Sequence, residues 1–520
     1  MTSPQGDRPA MPDGPAVAGT GDDGWQRLDS RTIFATAVLV LAPLIPTVAI
    51  MLLSGAGMTP LLITAGIWLA IAVLLSAGAG YEWSVTRYRV TSERVELRKG
   101  TLSRSHRWIP RDRIRSVDLT ADPVHRVLGL SVVKIGTGQS GGDDADLKLD
   151  AIPKADAEAL RHELLHSPQP GTAGTAEQAP PADGVLAVLK PAWLGYGALT
   201  VSLAAIVWGA IGSAFGSFRE LLEAYNVFAI IGEWLKDVPL WLTITGGAIA
   251  AVISGMVGAL ALSVEMWWGF HLTRERDTTL RVRRGLLTTR SVSLEERRMR
   301  GVEVAEPLVL RWARGARTNA VATGLQESKD GKHTESKALL PPAPRAEAQR
   351  VAALVLREPE PPTNGALRGH PRVALRRRVT WGIAATVPFI AAAVVSAALG
   401  WIPMWTIAVV TVVGVAIAIA AGFDAYRSLG HQVSPKYLIM RRGTGIRRTV
   451  ALQRTGIIGW RVKQSLFQRR SGLVTVSAIT AAGAGAYKIP DVSAGEGLAV
   501  AEHAVPGLLQ PFLEREVSRV

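Results

Sequence analysis

The sequence predicts an α+β membrane protein: about six transmembrane helices in three hairpin pairs, each pair followed by a small cytoplasmic β-sandwich or barrel that ends in a helix. Three observations predict it. A pattern at 83–119 returns at 268–304 and again at 429–462, which makes a threefold repeat. Each copy follows two nearly uncharged runs of about 20 residues, enough at 1.5 Å per residue to cross a roughly 30 Å hydrocarbon core. Charged residues are only 19% of the chain, mean hydropathy is +0.20, and 58 Lys and Arg face 43 Asp and Glu. That balance fits membrane spans with basic soluble parts better than a cytosolic enzyme.

In chain order, residues 1–30 are rich in Gly, Pro and Asp and read as a disordered cytoplasmic tail; no secretory signal is expected ahead of the first apolar run. The first transmembrane pair occupies 31–80, with runs at 33–53 and 61–80. The second occupies 190–264, with runs at 193–215 and 240–264 around an external loop at 216–239. The third occupies 379–423. Soluble modules follow at 81–166, 265–357 and 424–514, separated by a Pro- and Ala-rich linker at 167–189 and a basic one at 358–378, with a short tail at 515–520. Pro43, Pro46 and Pro388 lie inside spans and are expected to kink them. In the external loop Phe218, Leu221, Leu222, Tyr225, Phe228 and Trp234 form a rough helical stripe, expected on the outer bilayer surface.

Orientation follows from the cations. The tips 54–59 and 400–403 hold none, whereas Arg87, Arg89, Arg94 and Arg98, then Arg274 and Arg276, then Arg368, Arg372, Arg376, Arg377 and Arg378 line the opposite side. The positive-inside rule therefore places both termini and all three modules in the cytoplasm. Glu82, Glu265 and Asp424 end the even-numbered spans and are expected to pair with nearby Arg87, Arg274 or Arg427.

The repeats align on Gly100, Gly285 and Gly443. Each follows a basic pair, Arg98-Lys99, Arg283-Arg284 or Arg441-Arg442, and Arg104, Arg290 and Arg447-Arg448 lie just beyond it. A hairpin tip rich in cations next to a membrane span is a candidate contact for anionic lipid headgroups. Within the first module, 85–99, 101–109, 114–119, 130–136 and 147–152 read as strands. The period then changes to that of a helix at 154–166, with counterparts at 345–356 and 493–509.

A small sheet closed by a C-terminal helix is the architecture of a pleckstrin-homology (PH) domain. Two spans, an Arg/Lys-Gly hairpin, the strand Ile109-Pro110-Arg111-Asp112-Arg113-Ile114-Arg115-Ser116-Val117 and then Gly129-Leu130 resemble the bacterial PH-domain membrane proteins of the YdbS/YdbT type. The likeness covers most of 31–166, 190–356 and 379–514; it is closest in the first module and departs at 294–299 and 453–456. It implies a PH-like fold, a plasma-membrane location and no catalytic residues.

Three enzyme-like motifs compete with that reading. His162-Glu163-Leu164-Leu165-His166 fits a zinc-protease helix, which would make this a membrane metalloprotease. The other two helices lack the pattern, no third ligand is evident, and a solvated helix face explains it as well. The glycines of 136–142 match a dinucleotide fingerprint and a nucleophile elbow, but both mechanisms need a helix to begin there, and Asp143, Asp144 and Asp146 precede a strand instead. The resulting expectation is a non-enzymatic membrane-anchored scaffold acting in envelope stress or antimicrobial resistance, with no cofactor, metal or nucleic acid. Its expected partners are the bilayer, anionic lipid and a membrane protein such as a smaller member of the same family; a transporter accessory role is the other alternative. With no cysteine, disulfides and thiolate chemistry are excluded.

Overall fold

The computed structural model describes residues 24–512 apart from 54, 56, 101–104, 115, 138–146, 166–183, 218, 276–277 and 324–336. Five helical lengths are long and apolar enough to cross a membrane: Arg31–Leu53, Met58–Val85, Leu240–Trp267, Arg372–Ala398 and Trp405–Arg427. The first breaks between Leu41 and Leu44, at Pro43, and the fourth breaks before Val387, so that Pro388 occupies a first helical turn where its missing N–H leaves no gap.

The run expected to span at 193–215 is instead two helices, Pro191–Ala198 and Val201–Gly216, meeting at 64°. Its first half is held elsewhere, because Trp193 is buried in the core of the second module together with Trp267. Gly197 allows the bend to lie flat on the next span: a Cβ there would sit 1.9 Å from the Ser263 hydroxyl. Gly258 against Val207 and Gly422 against Val379 give the same close approach in the second and third pairs, the small-residue packing expected of helices in lipid.

The strands are β1 (Gln26–Arg27), β2 (Arg87–Val90), β3 (Arg94–Lys99), β4 (Ser105–Pro110), β5 (Ser116–Ala121), β6 (Leu130–Gly136) and β7 (Leu147–Pro153) around the first module. The linker adds β8 (Gly184–Val188). The second module contributes β9 (His271–Glu275), β10 (Thr279–Arg284), β11 (Thr289–Glu295), β12 (Met299–Pro307), β13 (Gly315–Ala322) and β14 (Ala338–Pro344). The third contributes β15 (Gly430–Val433), β16 (Tyr437–Arg442), β17 (Ile446–Gln453), β18 (Gly459–Lys463), β19 (Leu473–Ile479) and β20 (Ala486–Ser493). The stretch 85–99, expected as one strand, folds into β2 and β3 because Thr91 turns the chain, its hydroxyl accepting from the Arg94 amide at 3.1 Å.

Each module thus holds two three-stranded antiparallel sheets, and the sheets run on between modules. The orders are β1-β2-β3-β4, then β7-β6-β5-β11-β10-β9-β8, then β14-β13-β12-β17-β16-β15, then β18-β19-β20. The second sheet of one module is therefore continuous with the first sheet of the next, through β5·β11 and β12·β17. Both joints use one register. Ser116 pairs with Leu294 and Gly301 with Leu452, in each case the sixteenth residue past the donor's turn glycine against the ninth past the acceptor's.

Helices Lys154–Leu165, Arg345–Leu356 and Ala494–Ala504 close the modules. The third stops short of the expected 509 because Pro506 follows, which disfavours helical backbone at Val505. Short helices Pro123–Val127, Leu308–Trp312 and Leu466–Arg470 precede β6, β13 and β19.

Candidate functional site

The three basic hairpins stand where the modules meet the long apolar helices, and the acids that finish the even-numbered candidate spans hold them there. A carboxylate in the last turn of a helix faces the negative end of the helix dipole, so it needs donors. Glu265 accepts the backbone N–H groups of Leu287 and Thr288 at 3.1 and 3.0 Å, at the β10–β11 tip. Asp424 accepts from Gly445 at 3.0 Å, at the β16–β17 tip, and pairs with Arg311. Glu82 pairs with Lys99 at 3.0 Å. Partners were expected among Arg87, Arg274 and Arg427; the structure finds them at the hairpin tips and in the neighbouring module.

The alignment glycines close these tips with positive φ, 83° at Gly100, 112° at Gly285 and 129° at Gly443. A Cβ at Gly285 would lie 1.9 Å from the Thr288 carbonyl oxygen, so no other residue makes that turn.

Alternation along a strand sends the two residues of each basic pair to opposite faces. Arg98 is exposed and lies over the Trp25 ring at 4.2 Å, while Lys99 turns to Glu82. Arg283 is exposed, while Arg284 is buried over Trp267 at 4.3 Å. Arg441 and Arg442 are half-buried, and burial pushes the Arg441 guanidinium below its ordinary range, with Arg447 adding to the effect. Arg447 is lowered first by burial and then by Arg311; it donates to the Ser428 hydroxyl at 3.2 Å. Arg448 approaches Glu303 of the second module at 3.8 Å. Arg290 is exposed beside the exposed tip residues Leu286 and Leu287. Arg104 lies outside the described residues. Among the described residues the exposed cations at the tips are thus Arg98, Arg283 and Arg290, whereas Lys99, Arg284, Arg447 and Arg448 contact other parts of the fold.

Sequence reasoning missed the contacts that lock one module to the next. The fourth residue of each short helix is an arginine. Arg126 donates to the Leu286 carbonyl at the next module's tip at 2.5 Å, and Arg311 pairs with Asp424. Arg469 is the corresponding residue of the third module, and it is exposed. The shared fourth position is the signal that would have found them.

At the first joint Arg161, fully buried, reaches Glu275 at 2.9 Å and the Ser293 hydroxyl at 3.1 Å, and pairs with Glu158 at 3.0 Å. Arg281 completes the network with Glu158 at 2.5 Å and Glu275 at 3.1 Å. Burial pushes both carboxyls up, but the guanidiniums of Arg281 and Arg161 outweigh it and hold both below the usual carboxylate range.

The zinc-protease motif is occupied by structural contacts. Glu163 pairs with Arg111, and Nε2 of His162 lies 2.9 Å from the Arg161 guanidinium, a donor that takes up the lone pair a metal would need. His166 lies outside the described residues. Among the described residues no group of three or more His, Asp or Glu is arranged to hold a metal ion.

A family model described as bacterial PH domain matches residues 37–167, 191–359 and 383–505, which together make up most of the chain. Each match takes in span residues as well as the module that follows. No curated protein and no solved structure matches.

Proposed function

The chain belongs to the bacterial PH-domain family, and we propose on that premise that it is a non-enzymatic membrane scaffold, holding three PH-like modules as one row beneath the inner leaflet. Both termini and all modules face the cytoplasm, where the basic flanks belong. The row engages proteins, and anionic lipid at its tips, and serves in envelope stress or antimicrobial resistance.

The observation that carries this reading is the continuity of the sheets through β5·β11 and β12·β17, combined with hairpin tips tied to the span ends. Modules on loose linkers would tumble independently, whereas modules sharing sheets and anchored at their tips present fixed surfaces. The second tip is the best placed for lipid, with Leu286 and Leu287 exposed and Arg283 and Arg290 beside them. A cation near an anionic surface contributes about 1 kcal/mol, so this contact orients a protein that its spans already hold.

The test is genetic. A strain lacking the gene should be more sensitive to membrane-active antibiotics. The intact chain should restore resistance, and a chain with both joints cut by Arg161→Ala and Ile439→Asp should insert normally yet fail to restore it. Full restoration by the cut chain would overturn the scaffold.

A further inference from the structure

The row has two unmatched ends. Among the described residues β4 has one neighbour, β3, and β18 has one, β19, although their counterparts in the joints are paired on both sides. In β4, residues Ser105 to Trp108 are exposed, and Trp108 is 54% exposed where its counterparts Ser293 and Ala451 are fully buried. Glu82, the counterpart of Glu265 and Asp424, is 63% exposed where Asp424 is 20%. The head of the row therefore carries the parts of an acceptor: an edge strand, a large apolar side chain at its centre, and an exposed acid, Glu82, paired with Lys99 and standing in the place where Asp424 takes Arg311.

We propose that this head docks a module of a second protein, through a strand added antiparallel to β4, and that the docking strand carries an acid opposite Arg107. This deepens the scaffold reading by naming a partner's chemistry. The joint register predicts which residues meet. Asp118 faces Val292 and Glu303 faces Val450, so internal donors carry an acid at that place. Position 107, in register with those valines, is an exposed arginine. An internal-type donor strand would therefore gain an ion pair at β4, and its short-helix arginine would reach Glu82 as Arg311 reaches Asp424.

The chain's own tail fits less well. In the same register Gly459 meets Ile109, Trp460 meets Trp108 and Lys463 meets Ser105, and Arg469 would serve Glu82, but Arg461 stands where the donors have Asp118 and Glu303. It would face Arg107. Like charges directly opposed across strands repel, and charged edges are how sheet proteins avoid growing into open polymers. The tail is thereby refused and the head kept for an acidic partner.

The full-length chain in lipid nanodiscs tests this, its own tail serving as the probe. Because the chain has no cysteine, Ser105→Cys with Lys463→Cys reports head-to-tail pairing as an intermolecular disulfide. With Arg461 and Arg107 intact, cross-linking should stay at background. Arg461→Glu, which gives the tail an internal-type strand, should raise it about tenfold, the factor expected when one repulsive cross-strand pair becomes attractive. Arg107→Glu should do the same, and the two together should return it to background. Efficient cross-linking with both arginines present would make a second copy the occupant, and background levels in both single variants would show that β4 accepts no strand; either overturns the proposal. The scaffold reading is judged separately, by the joint-cut chain.

Discussion

At the first joint the buried guanidinium of Arg161 crosses to Glu275 and Ser293. Arg281 holds the same carboxylate. At the second joint the places of Arg161, Arg281 and Ser293 are taken by Ala352, Ile439 and Ala451, all members of one buried apolar cluster. That cluster contains the core of the second module and reaches into the third, whereas the core of the first module lies wholly between Tyr88 and Leu165. Strand pairing alone cannot tell modules apart, because backbone groups are the same everywhere. The helix face supplies the distinction. A helix carrying Arg161 laid over Ile439 would bury a charge with no partner, and one carrying Ala352 laid over Glu275 and Arg281 would leave that pair without its third member. The polar joint and the apolar joint together fix the order of the row.

The largest effect should come from breaking the polar joint. Arg161→Ala leaves Glu158 and Glu275 with Arg281 alone, and removing one partner of a buried ion network costs about 3–5 kcal/mol. Hydrogen exchange should rise in β5 and β11 while β12 and β17 keep their protection. Unchanged exchange in β5 and β11 would show that strand pairing, and not the ion network, holds the first joint.

A smaller effect should follow from Ile439→Ala at the apolar joint. Truncating a buried isoleucine costs roughly 2–4 kcal/mol. Because the cluster is shared, the loss should be felt in two modules at once, with faster exchange in β17 and in the helix Arg345–Leu356. Leu149→Ala, in the separate core of the first module, should loosen that module alone. If Ile439→Ala disturbs only the third module, the second and third do not share a core.

Much of this was legible in sequence. Apolar runs of span length are a strong signal, and the helix expected at 345–356 falls at those bounds because its apolar period and the preceding Pro344 agree. The cross-module sheets were not legible. A strand such as β5 alternates in the same way whether its far edge meets its own module or the next. Arg126 and Arg311 were hidden because their partners lie 160 and 113 residues away, beyond any local pattern. The broken third span was hidden for a similar reason, since the bend is imposed by Trp193 in a distant core and no proline marks it. Among the described hairpin cations, the sequence could not assign Lys99 to Glu82 or Arg284 to Trp267, because those contacts depend on how each module sits on its spans.

The smallest effect, and the one that separates the joints most cleanly, is that of pH. Glu158 and Glu275 have carboxyls lowered in the folded chain, so the stability they give is fully present above about 4.5 and is lost as the pH falls through their lowered values. Solvent moderates the loss, since Glu158 is 32% exposed. The second joint has the opposite dependence. The phenol of Tyr437 is raised, first by burial and then by its hydrogen bond to Glu358 at 3.0 Å, so its contribution is present below the ordinary tyrosine value of 10.0 and is lost as the pH rises beyond it. His370 and His431, both lowered by burial and His431 to about 4, also take up protons in acid, but they lie between the linker and the third module and load neither joint. Protection factors measured strand by strand should therefore fall first in β5 and β11 under acid, and first in β16 and β17 under alkali. Joints that weaken together in either direction would mean that neither the carboxylates nor the phenol distinguishes them.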